Sequence, residues 1–161
     1  MSVRLFLPDA AATDALGAAL AASVPARAVL HLHGDLGAGK STVARALLRA
    51  LGVTGPVRSP TYTLVERYPV AGGDALHLDL YRIGDPGELE FLGLDAADAR
   101  LWLVEWPERS GPALPSPDLH LFLALDGGGR SARLTAGSSN GEAWLQTVER
   151  HRKLQSFVAV D

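Results

Sequence analysis

The octet at positions 34–41, Gly-Asp-Leu-Gly-Ala-Gly-Lys-Ser, constrains this chain more than any other feature. It matches G-x-x-x-x-G-K-[ST], a loop that wraps a polyphosphate in inward-turned backbone N–H groups. Glycine permits that turn, and Lys40 adds a compact ammonium on a flexible stem that reaches β- and γ-phosphates as a point charge. The chain holds 13 arginines and only two lysines, and one of the two stands here. The Ser41 hydroxyl suits the coordination shell of a magnesium ion. Flanking residues supply the required context. Positions 28–33 read as a buried strand running straight into the loop. Positions 41–51 carry apolar residues at 43, 44, 47, 48 and 51, a helical period closed by Gly52 as a C-cap. Strand, glycine loop and helix in that order predict a helix N-terminus aimed at phosphates, where unpaired N–H groups and the helix dipole favour an anion.

Other segments fit the same architecture. Residues 3–7 form a short apolar run ended by Pro8, an edge strand or lead-in, and 13–22 read as an amphipathic helix ending before Pro25. The stretches 63–68, 75–80 and 101–106 are strand-length and bounded by breakers. A short helix begins at 88–92, 119–125 and 130–136 flank the hairpin signal Asp126-Gly127-Gly128-Gly129, and 142–154 close the chain as a helix. The three prolines of 111–117 mark a surface connection, not a domain boundary. The expectation is an α/β fold: a single P-loop NTPase-like domain over 1–161, with a mixed, mainly parallel central sheet flanked by helices.

Bulk properties narrow the function. A hydrophobic content of 47% and a charged content of 20% fit a globular protein long enough, at 161 residues, for one substantial core. The net charge of −3 argues against a broad nucleic-acid platform, which needs clustered Lys and Arg. Arg150, His151, Arg152 and Lys153 form one basic run, best read as a solvated helix end. Without cysteine there are no disulfides or thiolate metal sites. No apolar stretch approaches a membrane span, and residues 1–9 lack a signal-peptide layout, so the expected compartment is the cytoplasm.

Phosphoryl chemistry also needs an acid beside the metal and a group to orient water. Asp79 and Glu105 each end an apolar strand run, where a carboxylate is costly unless a cation or donors satisfy it. Either could be the metal-side acid; the alternative is a strand-end acid that caps a helix or pairs with an arginine. Thr42 offers a second hydroxyl, for the α-phosphate or for solvent. Ser59-Pro60-Thr61-Tyr62-Thr63 lies where a switch segment can meet a γ-phosphate, although a plain turn reads equally well. Alternation puts His31 and His33 on one strand face, which invites a metal site; strand packing is the simpler reading for them and for His77.

Four segments together resemble the TsaE family: 34–42 (GDLGAGKST), 59–65 (SPTYTLV), 77–83 (HLDLYRI) and 104–108 (VEWPE), in order and spacing. Ser41 stands where members often have threonine and Tyr62 where many have phenylalanine, both conservative departures; beyond Asp126 the agreement is loose. The resemblance implies a P-loop ATPase that binds ATP and Mg2+ and serves the bacterial tRNA threonylcarbamoyladenosine machinery. It implies TsaD-like and TsaB-like partners that hold the tRNA, with ATP binding and hydrolysis loading, resetting or recycling the complex between turnovers and no direct transfer of the threonylcarbamoyl group. By that resemblance Gly37, Ala38, Gly39, Lys40, Ser41 and Thr42 surround the phosphates. Ser41 and Glu105 bind magnesium, and Asp79 lies beside the γ-phosphate or its attacking water. Thr61 belongs to the switch segment, and Trp106 walls the site or packs in the core. Thr13, Arg130 and Glu108 contact nucleotide from outside the loop.

Two other functions fit a phosphate loop. A small-molecule kinase needs an acceptor pocket and usually an arginine-bearing lid, for which 85–100 is short and acidic. A nucleotide-gated binding module needs no hydrolysis at all. A GTPase is disfavoured because no N-K-x-D base-reading motif occurs.

Overall fold

The computed structural model describes residues 1–92, 94 and 99–159. Residues 93 and 95–98, part of the stretch weighed above as a lid, lie outside the described residues. Among the described residues seven strands form one sheet: β1 (Ser2–Leu7), β2 (Ala28–His33), β3 (Val65–Val70), β4 (Gly73–Asp79), β5 (Ala99–Glu105), β6 (Leu119–Asp126) and β7 (Gly129–Ala136), in the order β1-β7-β6-β2-β5-β4-β3. The four central strands, β6-β2-β5-β4, pair in parallel, and β1, β7 and β3 are added antiparallel at the two ends. The expected mixed, mainly parallel centre is therefore present. Pro69 sits in β3, an edge strand, where its missing N–H breaks no ladder.

Three helices, α1 (Ala10–Ala22), α2 (Lys40–Ala50) and α3 (Ser139–Glu149), pack on one face of the sheet. They join Leu5, Leu30, Leu32, Leu103, Leu121 and Leu134 in the larger core cluster through Leu16, Leu20, Leu47, Trp144 and Leu145. α1 starts three residues earlier than the apolar pattern suggests, because Asp9 caps it by accepting the Ala12 N–H at 2.9 Å. α3 is likewise capped by Ser138, which accepts from Gly141 N–H, and ends at Glu149. The expected continuation to 154 is instead a turn at His151 and a 3-10 helix, Arg152–Phe157, that brings Leu154 back into the core.

The opposite face carries a second cluster, Val29, Leu76, Leu78, Leu80, Trp102 and Val104, covered by Ile83, Leu89 and Leu94. The 3-10 helices Pro86–Leu92, Pro107–Arg109 and Gly111–Ala113 lie among these connections. Strand alternation then fixes which residues meet α2: His77, Asp79 and Glu105 share a face with the larger core, while His31, His33, His120 and Phe122 point to the other side. Among the described residues no helix is long and apolar enough to cross a membrane.

Candidate functional site

β2 delivers the chain to the loop, and the loop's glycines take backbone angles that other residues resist. Gly37 has φ 82° and Gly39, the N-cap of α2, has φ 107°. At Gly34 a Cβ would lie 2.6 Å from the Leu123 carbonyl oxygen, so the loop's root must be glycine to pass β6. Lys40 begins α2 and is almost fully buried. Its ammonium donates to the Gly34 carbonyl and to the Asp35 carbonyl at 2.9 Å, and stands 4.8 Å from the centre of the Trp106 ring. The charge is thus held by the loop's own oxygens and an aromatic face, a setting from which phosphate oxygens can recruit it.

The two strand-end acids meet at this point. β4 and β5 run parallel with Asp79 opposite Glu105, so both carboxylates reach the same end of the sheet. Glu105 is buried and accepts two hydrogen bonds at Oε2, from Ser41 Oγ at 2.8 Å and His77 Nε2 at 2.6 Å. Asp79 accepts the Tyr81 backbone N–H at 3.0 Å. Burial raises the Asp79 pKa, and neighbouring Glu105 adds to the rise; the Tyr81 N–H, His77 and Lys40 pull it back. Two junctions here carry positive φ without glycine, Leu64 at 68° and Trp106 at 56°. Leu64 offers its carbonyl to the Asp79 N–H, and Trp106 follows Glu105 directly, so the strained turns frame the two acids.

Two cavities adjoin across the loop. One, of about 240 Å³, is lined by Gly37, Gly39, Lys40, Ser41, Thr42, Thr61, Asp79, Glu105, Trp106 and Arg130, among others. The second, of about 260 Å³, lies between the start of α1 and the loop and includes Thr13, Ala38, Gly39, Thr42 and Arg130. Arg130 borders both and donates from Nε to the Ala38 carbonyl at 3.0 Å. Thr61 faces the smaller cavity and shares a 2.7 Å hydrogen bond with Ser59, whereas Tyr62 projects to solvent under the Arg82 guanidinium. Trp106 both walls that cavity and packs against the second core cluster. Glu108 lines neither; it is exposed, on the side of His33.

His77 is the residue that sequence reasoning passed over. It is buried, bonded to Glu105, and its Nδ1 has no partner among the described residues. The signal was its place two residues before Asp79, since that spacing on a strand puts both side chains on one face.

Comparison with known proteins adds an independent line. The family model described as "Threonylcarbamoyl adenosine biosynthesis protein TsaE" matches residues 7–133. The tRNA threonylcarbamoyladenosine biosynthesis protein TsaE of Haemophilus influenzae is 42% identical over 116 residues, 71% of this chain and 73% of that protein. The protein of the same name from Bacillus subtilis is 33% identical over 147 residues, 89% and 92% of the two chains. The crystal structure of Bacillus subtilis YdiB superposes with a TM-score of 0.77 at 28% identity, covering 94% of this chain and 96% of that one.

Proposed function

The chain belongs to the TsaE family of threonylcarbamoyl adenosine biosynthesis proteins, and from that premise we propose that it binds and hydrolyses ATP with Mg2+ to drive the cycle of a tRNA-modifying complex. The observation that carries this reading is the meeting of Lys40, Ser41, Asp79 and Glu105 around one cavity at the mouth of a glycine loop. The donor set fits magnesium, which prefers hard oxygen ligands: a hydroxyl at Ser41 and a carboxylate at Glu105, already 2.8 Å apart. Ser41 and Glu105 would hold the ion, and Mg2+ when bound neutralises charge on the β- and γ-phosphates.

The protein's own groups do the rest. Loop N–H groups from Gly37 to Thr42 and the N-terminus of α2 receive phosphate oxygens, and Lys40 leaves its carbonyls for the γ-phosphate side. Asp79, buried and readier than usual to take a proton, orients the attacking water. His77 fixes Glu105 from behind. Thr13 and Arg130 receive the nucleoside in the larger cavity, and the Ser59–Thr61 hydrogen bond sets the switch loop at the edge of the smaller one. One P-loop domain carries all of these roles in the cytoplasm. TsaB-like and TsaD-like proteins are the partners, and a net charge of −3 accords with RNA held by them and not by this chain.

The test compares the full chain with Lys40→Ala in ATP binding, hydrolysis and ATP-dependent capture of purified TsaB- and TsaD-like proteins. Loss of one hydrogen bond to a charged group, about 1.5–3 kcal/mol, predicts about 10–150-fold weaker ATP binding together with lost turnover. Unchanged turnover in Lys40→Ala overturns the assignment. Phosphorylation of a metabolite with no effect on tRNA modification replaces it with a kinase. Full complementation by an Asp79→Ala protein that binds but does not hydrolyse ATP reduces it to a nucleotide-gated module.

A further inference from the structure

β2 and β6 bring three histidines together on the sheet face opposite the phosphate loop. His31 and His33 alternate on β2, and His120 is the register partner of His31 across the parallel pair. One ring nitrogen from each lies within 4.8 Å of the others. His33 Nε2 and His120 Nδ1 are 2.9 Å apart, and the His31 ring stands edge-on to both neighbours, at 63° and 82°.

A packing role accounts for part of this. The His33 ring stacks on Phe122 at 4.4 Å, and His33 and His120 can share one proton. It does not account for His31, whose Nε2 is buried without a hydrogen-bond partner among the described residues. A buried imidazole nitrogen costs free energy unless something satisfies it. Two more nitrogens next to it turn that liability into a ligand set.

We propose that His31, His33 and His120 form a binding site for one divalent transition metal ion, Zn2+ by preference, separate from the magnesium of the nucleotide site. Imidazole favours Zn2+, Cu2+ or Ni2+ over Mg2+, and three histidines with an open fourth position are a familiar tetrahedral zinc set. Zn–N bonds of about 2.0–2.1 Å put ligand nitrogens about 3.4 Å apart, so small side-chain rotations suffice. Burial lowers the proton affinity of all three rings, and His120 adds to the effect at His31 and His33, which favours the neutral state a metal ligates; His31 titrates at about 4. His33 and His120 are only partly buried, which leaves the ion a path in and room for water. Glu108 and Arg133 flank His33 with opposite charges, the first raising and the second lowering its affinity for a proton, and the net shift stays downward. The ion would staple β2 to β6 one residue before Gly34, whose carbonyl holds Lys40, so occupancy would stiffen the root of the loop.

Untagged, metal-stripped full chain titrated with Zn2+, and with Co2+ as a spectroscopic probe, tests this. The expected result is one equivalent bound with the intense visible bands of four-coordinate Co2+. His31→Gln and His120→Gln should each weaken binding at least about 10–100-fold, the loss that even an outer-shell partner produces. His120 is partly exposed, so its variant keeps the test decisive should His31→Gln fail to fold. Absence of binding, affinity unchanged in both variants, or binding abolished by Glu105→Gln in their place overturns the proposal.

Discussion

Asp79 and Glu105 are register partners at the carboxyl ends of β4 and β5, and they are held in opposite ways. Glu105 receives a serine hydroxyl and a histidine ring, whereas Asp79 receives one backbone N–H. Two buried acids side by side cannot both be stabilised as anions without cations or donors. The arrangement puts the donors on Glu105 and leaves Asp79 as the acid whose proton affinity is raised.

That asymmetry predicts a trade between stability and activity at Asp79. Asparagine keeps the acceptor for the Tyr81 N–H and removes the poorly compensated charge. Asp79→Asn should gain about 0.5–2 kcal/mol in urea unfolding at neutral pH while losing ATP turnover. The sign follows from linkage. With a folded pKa above 3.8, the native state holds the extra proton, so stability falls as pH rises through that window. The variant should lack that fall; a less stable Asp79→Asn protein would show that the charge is better satisfied than its surroundings indicate.

His77 bonds Glu105, the proposed magnesium ligand, and should therefore alter metal dependence before anything else. His77→Gln removes the 2.6 Å contact that orients the carboxylate toward Ser41. Outer-shell partners of metal ligands are typically worth about 10–100-fold in metal affinity. The Mg2+ concentration for half-maximal ATPase activity should rise by that factor, with nucleotide affinity in the absence of magnesium little changed. Equal losses in both would mean the substitution disrupts the sheet instead.

Gly17 offers a test of packing against propensity. In an exposed helix, alanine for glycine gains about 1 kcal/mol. In α1, however, a Cβ at position 17 would stand 2.5 Å from the Ala46 Cβ and 2.7 Å from the Ala46 carbonyl carbon of α2. Backbone cannot yield as a flexible side chain does, so Gly17→Ala should destabilise by about 1–3 kcal/mol, the usual cost of overpacking. A raised melting temperature would show that α1 and α2 can separate without penalty. Because α2 starts at Lys40, the same variant should also weaken ATP binding.

Much of this was legible because local signals and tertiary placement agree. The loop, the strand before it and the helix after it follow from glycines, an apolar run and a 3.6-residue period, and Asp79 and Glu105 announce themselves as acids ending buried strands. The misses arose where a distant partner decides. The helix expected over 142–154 turns at His151 because Leu154 has a place in the core, a contact with no local signature. β3 starts at Val65, two residues later than expected, because Leu64 turns with φ 68°. His77 looked like a packing histidine until β5 brought Glu105 beside it, and the third member of the histidine cluster is 87 residues from His33.

The histidine cluster also predicts how stability responds to acid. His31 titrates at about 4 in the folded chain against 6.5 unperturbed, chiefly through burial, with His120 and His33 adding to the shift. As pH falls below 6.5 the unfolded chain takes up the proton first, so this contribution is complete above 6.5 and is lost progressively toward 4. His33 and His120 shift in the same direction, and the charges facing them, Glu108 raising and Arg133 lowering the affinity of His33 for a proton, do not reverse it. Replacing His31 with Phe keeps an aromatic ring in the slot and removes the titration. Urea midpoints measured with EDTA present should fall less steeply in His31→Phe than in the parent across that window, and converge on a constant offset above it. Parallel curves would mean that His31 is no more reluctant to charge in the folded chain than in the unfolded one.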